Sequence, residues 1–216
     1  MMKVLTYPCG PIEANTYIIY EEGQGDTCMV IDPADGKKIT KAIADTGRTC
    51  THILLTHGHF DHVWGVKAVK EATGAKVYIS PGDMDLISGK GPFFAAMQQV
   101  LKPFEADELI SEGVTIEGAG LTLKVLDCPG HTKGGLSFVV EGENAVFTGD
   151  TLFRESIGRT DFPGGSIEEL MDSVFNKLFT LPEETIVYPG HMGVSTIGHE
   201  KTHNILLRYK DHPWFN

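Results

Sequence analysis

Leu54-Leu55-Thr56-His57-Gly58-His59-Phe60-Asp61-His62 crowds three histidines and an aspartate into its last six positions, directly after an apolar run. The run His52–Thr56 reads as a strand, and Gly58 lets the chain turn sharply where that strand ends. Imidazoles two residues apart, His57 and His59, can point the same way from an extended segment, while Asp61 and His62 open the next helix. Asp61 then stands at that helix's N-terminus, where negative charge is favoured. One such histidine would be an ordinary polar loop residue. The group HxHxDH reads instead as half of a metal site, which other strand ends must complete.

Three further stretches have the form that completion requires, a β-run followed by glycine and one histidine or aspartate. They are Asp127-Cys128-Pro129-Gly130-His131-Thr132, Phe147-Thr148-Gly149-Asp150 and Tyr188-Pro189-Gly190-His191. Ligands set at strand termini on rigid elements suit a catalytic metal. The donors are imidazole nitrogens and carboxylate oxygens with no thiolate, a set suited to Zn²⁺, Fe²⁺ or Mn²⁺. Asp32, at the end of another strand, and Thr132 or Thr151 are candidates to orient the ligands; Asp32 reads equally well as a turn residue before Pro33.

The chain around these motifs has 216 residues, room for one large α/β domain. No composition break or linker divides 1–216. With 18 Lys+Arg against 29 Asp+Glu the formal charge is −11, the wrong sign for a nucleic-acid partner. No apolar run is long enough for a spanning helix, and the first residues, MMKVLTYPCG, do not read as a signal peptide. The four scattered cysteines, Cys9, Cys28, Cys50 and Cys128, form no CxxC pair. A cytoplasmic protein without disulfides or membrane contact is expected, with Cys128 a small buried apolar residue.

Strands are expected at Val4–Tyr7, Thr16–Tyr20, Cys28–Ile31, His52–Thr56, Lys76–Ile79, Leu121–Leu126, Leu136–Val140, Ala145–Thr148 and Thr185–Tyr188. Helical patterns lie at Lys37–Thr46, stopping at Gly47, and at Asp61–Thr73, stopping at Gly74. Ser166–Phe179 opens on a capping-box pair, Ser166 and Glu169, and a last helix runs from Ile197 to about Tyr209. Ser80–Gly113 is irregular, with a helix near Phe93–Leu101 whose Phe93, Phe94 and Met97 are core or pocket wall. This order predicts sheets with helices packed outside them.

Taken together, THGHFDH, CPGHT, FTGDTLF and YPGH, in this order and over almost the whole chain, resemble the metallo-β-lactamase-fold hydrolases. The resemblance implies an α/β (α+β) fold, a four-layer αββα sandwich with a two-metal site at one edge of its sheets. It implies that His57, His59 and His131 hold one ion and Asp61, His62 and His191 the other, with Asp150 bridging. Zinc is expected first, with iron or manganese as alternatives.

Within that superfamily, Gly149-Asp150-Thr151-Leu152-Phe153 followed by Gly158-Arg159 is similar to the glyoxalase II group, in which a basic residue at the place of Arg159 holds a carboxylate of the glutathione moiety. Lys201 is a second candidate for substrate, on a helix that could also be a solvated face with His199 and His203. The implied reaction is hydrolysis of a small-molecule thioester of the S-2-hydroxyacylglutathione type by a metal-bridging hydroxide, with Asp61 and Asp150 taking part in the chemistry. Lactone or other ester hydrolysis is a further possibility. A persulfide dioxygenase on the same fold would use one iron at His57, His131 and Asp150; its members generally read PAH where this chain keeps Gly190.

Overall fold

A computed structural model describes residues 1–89 and 102–209; the helix expected near Phe93–Leu101, and with it Phe93, Phe94 and Met97, lies outside them. Two six-stranded sheets form the centre. In the first, β1 (Met2–Cys9), β2 (Ala14–Glu21), β3 (Thr27–Ile31), β4 (Thr49–Leu54), β5 (Lys76–Ile79) and β6 (Glu108–Leu109) lie side by side in sequence order. The second runs β14 (Ser195–Thr196), β13 (Ile186–Pro189), β10 (Ala145–Gly149), β9 (Leu136–Val140), β8 (Leu121–Asp127) and β7 (Thr115–Gly118). A short ribbon, β11 (Leu152–Phe153) with β12 (Ser156–Ile157), follows β10.

Alternation along the central strands explains the layering, because successive side chains point to opposite faces. From the first sheet Tyr17, Ile19, Met29, Ile31 and Leu54 face one way and meet Leu123, Val125, Leu136, Phe138, Val140 and Phe147 of the second. Their neighbours Ile18, Val30, Ile53 and Leu55 face the other way, against Ile39, Ile43, Val66, Val69 and Ile87 on helices α1 (Gly36–Thr46), α3 (Val66–Thr73) and α4 (Met84–Ile87). On the far side, Val146 and Val187 pack under Met171 of α5 (Ile167–Asp172) and Ile197 of α6 (Ile197–His203). Three apolar interfaces therefore separate four layers, and strands buried on both faces read as near-continuous apolar runs.

The expected helix stops are present, since Gly47 and Gly74 close α1 and α3 in the left-handed conformation at φ 68° and 70°. Ser166 caps α5 as expected, its side chain accepting from the Glu169 N–H, although Ser166 Oγ itself donates to Glu168 rather than completing a box with Glu169. The pattern Asp61–Thr73 is corrected: it divides into α2 (Phe60–Val63) and α3, with a break at Trp64-Gly65. There the Gly65 N–H donates to the Pro33 carbonyl at 2.8 Å, and a Cβ on Gly65 would lie 2.5 Å from the Gly36 nitrogen. That contact against the loop after β3 is incompatible with a straight helix. The last helix also ends early, at His203, where Asn204 turns extended before a 3-10 segment, Ile205–Tyr209. β7 was not expected; of its four residues only Ile116 is buried, so it carries little apolar signal.

All four cysteines are free and buried, and Cys128 sits in the outer core as expected, its thiol pushed up to about 12 by burial. No helix among the described residues is long and apolar enough to cross a membrane. Phe138, fully buried between the sheets, bears directly on the packing that sets the sheet spacing. Phe138→Ala is expected to lower the unfolding free energy by about 3–5 kcal/mol, read from urea denaturation; a loss below about 1 kcal/mol would contradict the inter-sheet packing described.

Candidate metal centre

Four chain turns deliver the candidate ligands to one end of the sheets. β4 ends at Leu54 and runs into His57 and His59; α2 carries Asp61 and His62; the turn after β8 brings His131; Asp150 and His191 follow β10 and β13. β10 and β13 are parallel neighbours, so their ends bring Asp150 and His191 side by side. His57, His62, His131 and Asp150 are buried, whereas Asp61 and His191 are partly open to solvent.

Three groups of three have ligand atoms within 4.8 Å of one another: His57, His59 and His131; Asp61, His62 and His191; and Asp32 with His57 and His62, which links the first two. In the first, His59 Nδ1 and His131 Nε2 stand 2.8 Å apart. In the second, Asp61 Oδ2 is 3.4 Å from His62 Nε2 and 3.3 Å from His191 Nε2. Asp150 lies between these two groups, with Oδ1 3.2 Å from His62 Nε2 and Oδ2 3.4 Å from His131 Nε2 and 3.6 Å from His191 Nε2. The structure thus brings together all seven residues expected to bind metal.

Outward hydrogen bonds set the direction in which the imidazoles face. His62 Nδ1 donates to Asp32 Oδ2 at 3.0 Å, His131 Nδ1 to the Arg159 carbonyl at 2.7 Å, and His191 Nδ1 to the Ile12 carbonyl at 3.1 Å. Thr56 Oγ1 gives its proton to Asp32 at 2.6 Å and so accepts from His57 Nδ1 at 3.0 Å. In all four rings Nδ1 is engaged outward, leaving Nε2 to face the centre. His57 Nε2 is buried there without a hydrogen bond among the described residues, and Asp150 Oδ1 has no well-directed one, its nearest polar contact being His62 Nε2 at 3.2 Å. Buried acceptors left unpaired cost about 1–3 kcal/mol each. Inward-facing nitrogens and carboxylates with two atoms so placed fit a pair of divalent cations.

The electrostatics agree. Burial, with the neighbouring imidazoles, keeps His57 well below its usual range and His59 down to about 3, so both are neutral donors. Burial acts against a charge on His62 as well, but Asp150 and Asp32 outweigh it and push that imidazole up. Burial likewise opposes ionisation of Asp150, yet His62, His191 and His131 hold it well below the usual carboxylate range. Carboxylates here thus favour positive charge on His62 and His191, and a bound cation would compete with protons for those nitrogens.

Of the two readings open for Asp32, its contacts favour support of the candidate ligands: besides His62 Nδ1 and Thr56 Oγ1, its carboxylate accepts from the Thr56 N–H at 2.8 Å, and the residue holds left-handed backbone at φ 49°. Thr132 and Thr151 do not orient ligands directly: Thr132 donates to Asp83 and Thr151 to the Cys128 carbonyl. Sequence reading missed the support of the last loop, where the Asn15 N–H donates to the Gly190 carbonyl at 2.7 Å and the Tyr17 hydroxyl to the Pro189 carbonyl at 2.6 Å.

Of the two candidates for substrate, Arg159 adjoins the centre and Lys201 is not tied to it. The Arg159 guanidinium is exposed, pairs with Asp161 at 2.6 and 2.7 Å, and lies 3.8 Å over the Phe162 ring, whose edge contact with His59 is at 5.8 Å. Lys201, half-buried on α6, makes no hydrogen bond or ion pair among the described residues.

The model of the metallo-beta-lactamase superfamily matches residues 9–191, a span that includes all seven candidate ligands, and the chain belongs to that superfamily. It is a metallo-hydrolase carrying a His/Asp metal-binding cluster. It is 36% identical over 212 residues to the probable metallo-hydrolase YqgX of Bacillus subtilis, covering 95% of this chain and 98% of that one. It is 30% identical over 213 residues to the hydroxyacylglutathione hydrolase GloC of Haemophilus influenzae, covering 97% and 100%. Among solved structures, the BLEG-1 B3 metallo-beta-lactamase superposes with a TM-score of 0.87 at 33% identity, over 96% of this chain and 99% of that one. TTHA1623, solved in a di-iron-bound form, gives 0.83 at 36% over 94% and 100%, and ETHE1 from Myxococcus xanthus 0.81 at 31% over 99% and 88%.

Gly190 is the position where the backbone itself makes room for the Asp150 carboxylate. A Cβ there would lie 2.1 Å from Asp150 Oδ1 and 2.8 Å from His62 Cε1. Gly190→Ala is expected to displace the Asp150 carboxylate and lower the metal content per chain, read by elemental analysis at unchanged circular dichroism. Full metal content in that variant would contradict the geometry described.

Proposed function

We propose that this chain hydrolyses a thioester of the S-2-hydroxyacylglutathione type at a two-metal centre. The observation that carries the reading is the Asp150 carboxylate lying between two complete triads. Likeness to a hydroxyacylglutathione hydrolase across the full length of both chains supports the substrate class. Two divalent ions, zinc first and iron or manganese next, would be held by His57, His59 and His131, by Asp61, His62 and His191, and by Asp150 between them; when bound they supply an activated water and a Lewis acid for the carbonyl oxygen.

The protein's own groups do the rest. Asp61, partly open to solvent with Oδ2 turned toward the ligand nitrogens, is placed to accept the proton of the attacking water. The thiolate product is a good leaving group, so the scheme requires no strong acid opposite Asp61. Arg159 spends its Nε and Nη2 on Asp161, which leaves one side of its donor fork for a substrate carboxylate. Lys201 is proposed as a second cation for the same substrate.

Asp150→Ala is expected to release metal and cut thioester turnover by more than about 100-fold, beyond what loss of a merely supporting residue costs. The test is elemental analysis of protein purified without added metal, paired with thiol release from a thioester panel. Two ions per chain with turnover of S-lactoylglutathione agree with the proposal. A single iron with oxygen uptake on glutathione persulfide would replace it by the dioxygenase reading, and turnover of lactones alone would move the substrate class.

A further inference from the structure

We propose that Asp83 is a positioning residue for the first metal triad, fixing the gap between the His57–His59 turn and His131. The inference rests on the metal-binding reading of these ligands and adds to it a residue outside both triads. Asp83 ends the single turn Pro81–Asp83 after β5 and is 1% exposed. Its Oδ2 accepts from the Gly58 N–H and from the Thr132 hydroxyl, each at 2.8 Å, and its Oδ1 accepts from the Gly134 N–H at 2.8 Å.

Those donors belong to two separate loops. Gly58 stands between His57 and His59 on the loop that leaves the first sheet, and Thr132 and Gly134 follow His131 on the loop that leaves the second. One carboxylate therefore joins the ends of both sheets at the place where His59 Nδ1 and His131 Nε2 come within 2.8 Å. Three donors converge on it, and an ionised carboxylate is the small side chain that offers acceptors to all of them without carrying a proton of its own. Asparagine would turn an N–H₂ toward at least one N–H or O–H; alanine would leave all three donors buried without acceptors. The fit is close, since a Cβ on Gly134 would lie 2.6 Å from the Asp83 nitrogen and 2.8 Å from its Oδ1.

The second triad does not share this tie. His62 is held by Asp32 and His191 by the Ile12 carbonyl, so the two ions should respond differently when Asp83 is altered. Metal-free full-length protein is titrated with Zn²⁺ against a chromophoric chelator. Asp83→Asn is expected to weaken one ion by about 10–100-fold, the range for residues that support ligands, and to leave the other unchanged. Added to a His191→Ala background, which retains the first triad, Asp83→Asn loosens the remaining ion; added to His59→Ala, which retains the second, it does not.

A merely structural role would lower the melting temperature without selecting between the ions, and that outcome, or wild-type affinity at both, overturns the proposal. Should Asp83→Asn fail to fold, Thr132→Val removes one of the three bonds and is expected to weaken the same ion by a smaller factor; no effect there overturns it equally. A wild-type chain that holds a single ion would end the two-metal reading but not this one, which still requires that ion to bind more weakly in Asp83→Asn whenever His59 is needed to hold it.

Discussion

The arrangement depends on an electrostatic demand at the end of the two sheets. Five imidazoles and two carboxylates converge there, four of the rings hold Nδ1 outward, and His57 Nε2 is buried without a hydrogen bond and Asp150 Oδ1 without a well-directed one. Lone pairs so placed repel one another unless positive charge lies among them. The carboxylates favour that charge on His62 and His191 against the cost of burial. Divalent ions would meet the same demand, and would supply the activated water and Lewis acid that the proposed reaction uses.

The fold answers to that demand. A ligand cluster can be aimed only from elements that do not move, and the alternating faces of β2, β3, β4, β9 and β10 supply three apolar interfaces that fix both sheets. Neither sheet holds the centre alone: the first brings His57 and His59, and the second brings His131, Asp150 and His191. Loops then meet across the gap through specific bonds, Asp83 between the first triad's two loops, and Asn15 and Tyr17 against the loop of Gly190 and His191.

The convergence of the seven candidate ligands was legible in the sequence because most are written locally, as an apolar run, a glycine, and a histidine or aspartate. The central strands were legible for the same reason, being buried on both faces. What supports the ligands was less so. Asp83 lies in a turn-rich stretch, and its partners are 25, 49 and 51 residues away; no spacing rule connects them. Asn15 and Tyr17 look like ordinary strand residues until β13 is placed beside them. The break between α2 and α3 was hidden too, because Val63, Val66 and Val69 keep helical spacing across it and the cause is a contact with Pro33 and Gly36. Thr132 was singled out for its place beside His131, yet its hydroxyl serves Asp83, while the neighbouring role at His57 falls to Thr56.

The central claim is that Asp150 joins two metal positions, and anomalous diffraction at the metal absorption edge from crystals grown with saturating Zn²⁺ tests it most directly. The account predicts two peaks about 3.5–4 Å apart, one against His57, His59 and His131, the other against Asp61, His62 and His191, with the Asp150 carboxylate between them. A single peak at full saturation, or two peaks with Asp150 turned away from both, would contradict it.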